Sequence, residues 1–179
     1  SKVIAKKIND YREKKIINTT TELSSIIEDA VGNYYKRQSG MHIHPSTRTF
    51  QAIRVFVNNE FDELCTLLSR VCDRIKFGGR IAVITFHSLE DRIVKNIFDH
   101  LTGQGSSRSR YEPMVEGQKN YPFIYPHKKF YKPDHEEIIA NPRSRSAKLR
   151  YVQRTEHLFR ENLDIYSMTK YKRILEELK

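Results

Sequence analysis

The chain has 179 residues, which is enough for one sizeable core or a domain with an appendage but too few for two full α/β domains. Its 32 Lys and Arg residues against 22 Asp and Glu residues give a formal net charge of +10, which favours an anionic partner such as nucleic acid. A mean hydropathy of −0.66, with no apolar run of about 18 residues, excludes a membrane-spanning protein.

The first third of the chain predicts two helices and a loop. Residues 2–15 place apolar side chains on one face among Lys and Arg, which is typical of an amphipathic basic helix. The TTTE sequence at 19–22 fits a capping box, so a second helix is expected over about 21–31, with Gly32 at its end. Residues 33–46 predict an irregular basic loop that either contacts RNA or is simply solvated.

A third helix is predicted over Arg48–Ile75, because apolar residues from Phe50 onward recur every three or four positions. Cys65 and Cys72 are seven residues apart in it, roughly 10 Å, which is too far for a disulfide. They are therefore expected to be reduced core residues of an intracellular protein. The Asn58-Asn59 pair is unfavourable inside a helix, so the polar face is either solvated or has a role.

The stretch Lys76–Arg92 predicts a strand followed by a helix. Two glycines lead into Arg80–Phe86, which is rich enough in β-formers for a strand buried on both faces. Helical spacing resumes at Leu89, Ile93, Ile97 and Leu101. Helix, strand and helix in this order suit a doubly wound α/β sheet.

Polar residues of the sequence HSLEDR, at 87–92, lie where this strand ends. Ligands of open α/β sheets bind at the carboxyl ends of the strands, and these side chains can position a polar ligand or exchange protons. In the alternative interpretation the sequence is only a helix start, with Ser88 as the cap, Glu90 and Asp91 near the helix dipole, and Arg92 in solvent.

The remaining residues predict short elements. Residues 102–128 have no period and predict a long mobile loop with a basic tip at Arg108 and Arg110. A short strand is expected at Lys128–Lys132, a short helix capped by Asp134 up to Ala140, and a strand at 147–154 in which apolar and basic residues alternate. The tail from 156 to 179 is consistent with one or two helices.

The segment NPRSRSAKLRYVQR, at 141–154, contains five cations, the last of them Arg154, and no acid. Such a run neutralises phosphates well, and Tyr151 within it is able to stack on a base. The alternative is a basic edge strand that avoids aggregation. No metal site is predicted, because His42 and His44 stand in a loop without a second ligand pair. The sequence also lacks GxSxG, Walker and GxGxxG motifs.

Three long segments, in this order, resemble the MraW/RsmH family. They are HPSTRTFQAIRVFVNNE at 44–60, GGRIAVITFHSLEDRIVK at 78–95 and NPRSRSAKLR at 141–150. The stretch from Lys2 to Glu28 also resembles the helical insertion of that family. Its members are S-adenosylmethionine-dependent methyltransferases that modify N4 of a cytosine in the decoding region of small-subunit ribosomal RNA.

The resemblance implies an α/β fold: the C-terminal part of a Rossmann-like class I methyltransferase sheet, with the end of an inserted helical subdomain. Residues 1–47 correspond to the insertion, 48–154 to the methyltransferase domain and 155–179 to a helical extension. The family's N-terminal half, with its glycine-rich cofactor loop, has no counterpart in these 179 residues. The resemblance thus implies that the chain alone binds S-adenosylmethionine poorly or not at all and is inactive.

The resemblance also implies which residues lie near the reaction. In this family the cytosine amine attacks the methyl group in line, after the base has left its stack. The residues expected at the reaction centre are Asn58, His87, Ser88, Glu90 and Asp91. Those expected to contact substrate RNA are Arg48, Arg54, Glu60, Arg92, Arg143, Arg145, Lys148 and Arg150.

The expected partner is small-subunit ribosomal RNA or the small ribosomal subunit, with no membrane, and a homodimer is left open. The expected location is the bacterial cytoplasm, with the mitochondrial matrix as the alternative. The competing function is a non-catalytic RNA-binding ribosome assembly factor on the same scaffold.

Overall fold

The computed structural model describes residues 2–36, 44–104 and 121–157, and the chain divides into two units, residues 1–60 and 61–179. The first unit contains helices α1 (Lys2–Arg12), α2 (Thr20–Lys36) and α3 (Thr47–Val57). The elements that follow are α4 (Glu60–Arg74), β1 (Arg80–Thr85), α5 (Ser88–Leu101), β2 (Phe123–Ile124), α6 (His135–Ala140), a 3-10 helix (Pro142–Ser146) and β3 (Lys148–Arg154). The predicted combination of α-helices with a β-sheet is thereby confirmed.

Thr19 caps α2 as predicted, but the Glu22 carboxylate accepts from the residue before the cap and not from the cap itself, so the capping box is incomplete. The backbone N–H of Glu22 donates to Thr19 Oγ1 at 3.1 Å, and the Glu22 carboxylate accepts from Asn18 N at 3.1 Å. Tyr11 and Lys15 also donate to that carboxylate, at 2.7 and 2.9 Å, and they lower the pKa of Glu22 to about 2. The predicted stop at Gly32 is wrong, because α2 continues to Lys36. A glycine inside a helix costs only about 1 kcal/mol relative to Ala.

The predicted single helix over Arg48–Ile75 is also wrong, because it is interrupted between α3 and α4. Asn59 has a φ of 53°, in the left-handed region, which Asn adopts more readily than most residues. The backbone N–H groups of Asn58 and Asn59 close the last turn of α3 on Arg54 O and Phe56 O, at 2.9 and 3.2 Å. The Asn58-Asn59 pair therefore has a local structural role: it ends α3 just before α4 begins.

The core of the second unit lies between its helices and one face of a small sheet. Strands β1 and β2 are both antiparallel to β3, in the order β1-β3-β2. Ile81 of β1 and Val152 of β3 are paired and buried, and Ile93, Val94, Ile97, Phe98 and Leu101 of α5 are fully buried with them. Leu89 is the exception to the predicted stripe, since it is 40% exposed. Cys65 and Cys72 form no disulfide and are buried in this core, as predicted.

The predicted strands are partly correct. Strand β3 is confirmed, but it lies between β1 and β2, so its interpretation as an edge strand is wrong. The strand predicted at Lys128–Lys132 is reduced to one bridge between Tyr131 and Leu149. Asp134 caps α6 as predicted, by accepting from Glu137 N at 2.8 Å.

Strand β1 was expected to be buried on both faces, and that prediction is wrong for the described structure. Ile81 and Thr85 on one face are buried, whereas Ile84 on the other face is 60% exposed. The buried residues of α4 and α5 pack with Ile81 in one core, and no described helix covers the opposite face.

Some predictions lie outside the described residues. They are the loop tip with Arg108 and Arg110, the loop residue His42 and the helical tail beyond 157. Within the ranges that are described, no helix is both long and apolar enough to cross a bilayer.

Candidate functional site

The junction between β1 and α5 is closed by a reciprocal cap. His87 has extended backbone angles, and its Nδ1 accepts from Glu90 N at 3.3 Å. The Glu90 carboxylate in turn accepts from the backbone N–H groups of Phe86 and His87, at 3.0 and 3.3 Å. The cap of α5 is therefore His87, and the prediction that Ser88 caps this helix is wrong. Ser88 is the exposed first residue of the helix.

The second nitrogen of His87 has an unusual environment. A ring that accepts at Nδ1 carries its proton on Nε2. His87 Nε2 lies 3.0 Å from Glu90 Oε1, but the two atoms form no directed hydrogen bond, and the buried Nε2 has no hydrogen-bond partner among the described residues. The ring is only 13% exposed and packs near Phe61, with 6.0 Å between ring centroids. A buried donor without an acceptor is unfavourable, so this atom is a candidate contact for a bound ligand.

Asp91 belongs to a different environment from its neighbour Glu90. It is 8% exposed, and its carboxylate accepts from Arg150 Nε and Nη2 at 2.7 and 3.2 Å and from Lys148 Nζ at 2.7 Å. Burial alone would raise the pKa of Asp91, but the hydrogen bonds from Arg150 and Lys148 outweigh burial and lower it. Arg150 is itself only 4% exposed. Three residues predicted for catalysis or RNA contact thus form one ion cluster, in which Asp91 and Arg150 are buried and Lys148 is partly exposed.

The ion cluster continues into residues that the sequence did not point out. Arg150 Nη1 donates to the backbone oxygen of Lys129 at 3.1 Å, and Lys129 Nζ reaches Asp99 Oδ1 at 3.1 Å. Tyr125 also donates to Asp99 Oδ1, at 3.0 Å, and burial raises the pKa of its hydroxyl. Asp91 and Asp99 lie about two turns apart on a helix with an apolar stripe, and that spacing was the available signal.

Another predicted group comes together in the first unit. Arg54 donates to the Glu60 carboxylate through Nε at 2.7 Å and Nη2 at 3.0 Å, and Asn58 Nδ2 adds a contact of 3.3 Å. These three side chains span the end of α3. Arg48, at the start of that helix, is exposed.

The exposed arginines of the second unit differ from Arg150. Arg143 and Arg145 lie on the 3-10 helix, whose start is fixed by a 3.2 Å hydrogen bond from Arg143 N to Asn141 Oδ1. Arg92 is exposed on α5. None of the three forms an ion pair with another residue that the structure describes. Their charges are available to an anionic partner.

A comparison with known proteins identifies the family of this chain. A family model described as the MraW methylase family matches residues 1–155. The chain is 45% identical, over 152 residues, to ribosomal RNA small subunit methyltransferase H of Ehrlichia canis (strain Jake), covering 85% of this chain and 47% of that protein. It is 43% identical, over 156 residues, to the protein of that name from Methylobacterium sp. (strain 4-46), covering 87% and 45%. The chain thus spans about half the length of the curated relatives it matches.

Proposed function

Because this chain belongs to the MraW methylase family, we propose that it is part of an enzyme that methylates small-subunit ribosomal RNA. The methyl acceptor in this proposal is N4 of a cytosine, and the donor is S-adenosylmethionine. The observation that carries the proposal is the family match over residues 1–155, which includes all three sequence segments discussed above. The relatives are named for the same reaction class, on small-subunit ribosomal RNA.

The architecture supports a Rossmann-like assignment. Because β1 and β2 are each antiparallel to β3, they run parallel to one another, and β1 leads directly into the covering helix α5. A strand followed by a helix that packs back on it is the repeating unit of such sheets. In this proposal residues 48–154 belong to the methyltransferase domain, residues 1–47 to a substrate-recognition insertion and residues 155–179 to an extension.

S-adenosylmethionine supplies a methyl group bound to a positively charged sulfur. The described residues at the end of β1 do not fit this cofactor, since Asp91 is engaged by cations and Glu90 Oε2 by two backbone N–H groups, which leaves one carboxylate oxygen, Glu90 Oε1, for two ribose hydroxyls. A carboxylate that held the ribose hydroxyls would have to be free. We therefore derive no step through the cofactor from these residues.

The chain's own contribution in this proposal is to bind RNA and to orient the base. Arg143 and Arg145 are exposed and form no ion pair within the described part of the chain, so they suit phosphate contacts, whereas Arg150 is paired with Asp91. The His87 Nε2–H donor and the Glu90 Oε1 acceptor lie 3.0 Å apart at the strand end. Cytosine carries an acceptor, N3, beside a donor, the N4 amine. A flipped cytosine would thus match this donor and acceptor pair and have its amine held for attack.

Methylation of unmodified small-subunit RNA tests the proposal. The protein to be used contains this chain joined to the segment that corresponds to the unmatched part of the relatives. We expect S-adenosylmethionine and this protein to yield N4-methylcytidine, identified by mass spectrometry of digested nucleosides. Methylation at another atom would refute the assignment of the acceptor.

The competing function is a non-catalytic RNA-binding assembly factor, and the engaged carboxylates at the end of β1 favour it. Calorimetry of the protein defined above, titrated with RNA and with S-adenosylmethionine, separates the enzyme from the assembly factor. Tight RNA binding without any heat from S-adenosylmethionine would establish the assembly factor, whereas cofactor binding excludes it. In either case we place the protein with ribosomes in the bacterial cytoplasm, because the compared relatives are bacterial, with the mitochondrial matrix as the alternative.

A further inference from the structure

The side of α4 that faces away from the core combines apolar and cationic side chains. Leu67 is 58% exposed, and Arg70 and Arg74 are exposed beside it. The three residues are three or four positions apart, which places them on one side of the helix. Neither arginine forms an ion pair with another residue that the structure describes. These three residues, with the half-buried Val71, are called the outer face of α4.

A cavity of about 590 Å³ lies at the C-terminal end of the outer face. The described residues that line it come from α4 and from the position just after it: Arg70, Val71, Asp73, Arg74 and Ile75. A single helix has a convex surface, so α4 alone cannot form both walls of a cavity. A second segment has to supply the other wall, and the cationic and apolar lining is complementary to a segment with acidic and apolar side chains.

The end of β3 brings the last part of the chain close to this cavity. Arg154 N donates to Gly79 O at 2.8 Å, and Gly78 N donates to Arg154 O at 3.1 Å, so the strand ends beside the glycine pair that follows α4. Ile75, which lines the cavity, is three residues before Gly78. Because three residues span at most about 11 Å, the chain beyond Arg154 starts near the cavity.

We propose that residues 156–168, called the docking stretch, fold as an amphipathic helix that packs on the outer face of α4 and supplies the second wall of the cavity. Phe159, Leu163 and Tyr166 are four and three residues apart, which is the spacing of an apolar helical stripe. Burial of this stripe against Leu67 and Val71 removes apolar area of both segments from water. The family model matches residues 1–155 only, so this packing lies beyond the part of the chain that it covers.

Charge selects the docking stretch from the rest of the tail. The cavity lining has two cations and one acid, Arg70, Arg74 and Asp73. Residues 156–168 contain three acids and one cation, namely Glu156, Glu161, Asp164 and Arg160. Residues 169–179 contain four cations and two acids, so they would be repelled by the same lining. The docking stretch also directly follows β3, so little chain has to be ordered before it reaches the cavity.

Thiol labelling of the full 179-residue chain tests the proposal. The native cysteines are buried, at 3% and 0% exposure, and burial raises the pKa of Cys72 to about 12, so they do not compete for the reagent. Asp73→Cys places a thiol in the cavity lining. Ile139→Cys is the matched control, because this position is 68% exposed on α6, which precedes the start of β3. Each maleimide rate is divided by the rate of the same variant in urea, which removes differences in intrinsic reactivity. On this scale we expect Asp73→Cys to react at least about tenfold more slowly than the control.

Variants of the docking stretch show whether it is the occupant. Replacing both Leu163 and Tyr166 by Ser in the Asp73→Cys chain should restore rapid labelling, and the rate of Ile139→Cys should not change. Equal rates for Asp73→Cys and Ile139→Cys with the native tail would overturn the proposal, as would slow labelling that persists after the Ser substitutions. Slow labelling that depends on protein concentration, with a doubled mass in light scattering, would also overturn it, because a second copy would then be the occupant.

The acids of the docking stretch give a second readout. Glu161→Gln combined with Asp164→Asn should accelerate labelling of Asp73→Cys by about threefold, because the attraction to the two arginines is lost. Glu176→Gln combined with Glu177→Gln removes the same number of acids from the rest of the tail and should leave the rate unchanged. An equal effect of the two pairs would contradict docking by residues 156–168. These readouts involve neither RNA nor methyl transfer, so they can fail independently of the proposed function.

Discussion

Replacing Asp91 by Asn should destabilise the second unit by about 3 kcal/mol, because removing one partner of a buried ion pair leaves the other charge uncompensated. The Arg150 side chain is 5% exposed and cannot rehydrate in place, whereas the Lys148 side chain, at 32%, can turn toward solvent. The estimate is therefore at the low end of the range for broken buried pairs, and Arg150 accounts for most of it.

The thiols of Cys65 and Cys72 provide the assay, since both lie in the core of this unit and react only when it opens. A loss of about 3 kcal/mol corresponds to labelling that is about 100-fold faster under native conditions. Asp73→Asn, at an exposed position on α4, is the control and should change the free energy of unfolding by less than about 0.5 kcal/mol. A loss below about 1 kcal/mol for Asp91→Asn would refute the reasoning.

The same variant has a pH signature. The pKa of Asp91 is lowered in the folded state. Its contribution to the free energy of unfolding is therefore fully present above the unfolded pKa of about 3.9 and is lost as the pH falls through the folded pKa. The difference in the free energy of unfolding between the wild type and Asp91→Asn should therefore become smaller below about pH 4. A constant difference down to low pH would show that the carboxylate charge is not what stabilises the fold.

Three further substitutions test other parts of the structure. His87→Ala should lower methyl transfer more than RNA affinity, and it should also lose about 1 kcal/mol of stability because the helix cap is removed. His87→Asn should keep the cap and still lose activity. If His87→Asn is as active as the wild type, the role of the ring is purely structural. Replacing both Arg143 and Arg145 by Ala should reduce the slope of log K against log salt by about 1.4 on single-stranded RNA, and an unchanged slope would remove them from the interface. Asn59→Ala should cost about 1 kcal/mol in thermal unfolding because of its φ of 53°, while Asn59→Gly should not.

Periodicity predicted the elements of this fold better than their boundaries. The apolar stripe continues in α3 and α4 on both sides of Asn59, so the period alone could not reveal the break. The Asn pair is the local signal of the break, because Asn adopts the left-handed conformation more readily than most residues. Similarly, Gly32 predicts a helix end because glycine is common just after the last turn of a helix. The structure continues α2 past it, since a helix interior tolerates glycine at a small cost, which pattern reasoning cannot weigh against packing.

The alternation in β3 predicted a strand but not its orientation. Basic and apolar residues alternate from Lys148 to Tyr151, and the usual assignment sends the basic residues to solvent. In the structure, however, the basic residue Arg150 is buried, because Asp91, 59 residues earlier in the chain, supplies its counter-charge. A tertiary partner at that distance cannot be found from the strand's own sequence.

The HSLEDR segment shows why a contiguous motif need not be a contiguous site. Successive residues of a helix point about 100° apart, so Glu90 and Asp91 cannot face the same partner. Glu90 turns back to the strand end and completes the cap with His87, while Asp91 turns to the sheet and binds Arg150. Any base that docks at the strand end therefore meets His87 and Glu90, and Asp91 acts on it only by holding α5 against β3. Activity lost in Asp91→Asn should accordingly follow the loss of stability, whereas activity lost in His87→Asn should not.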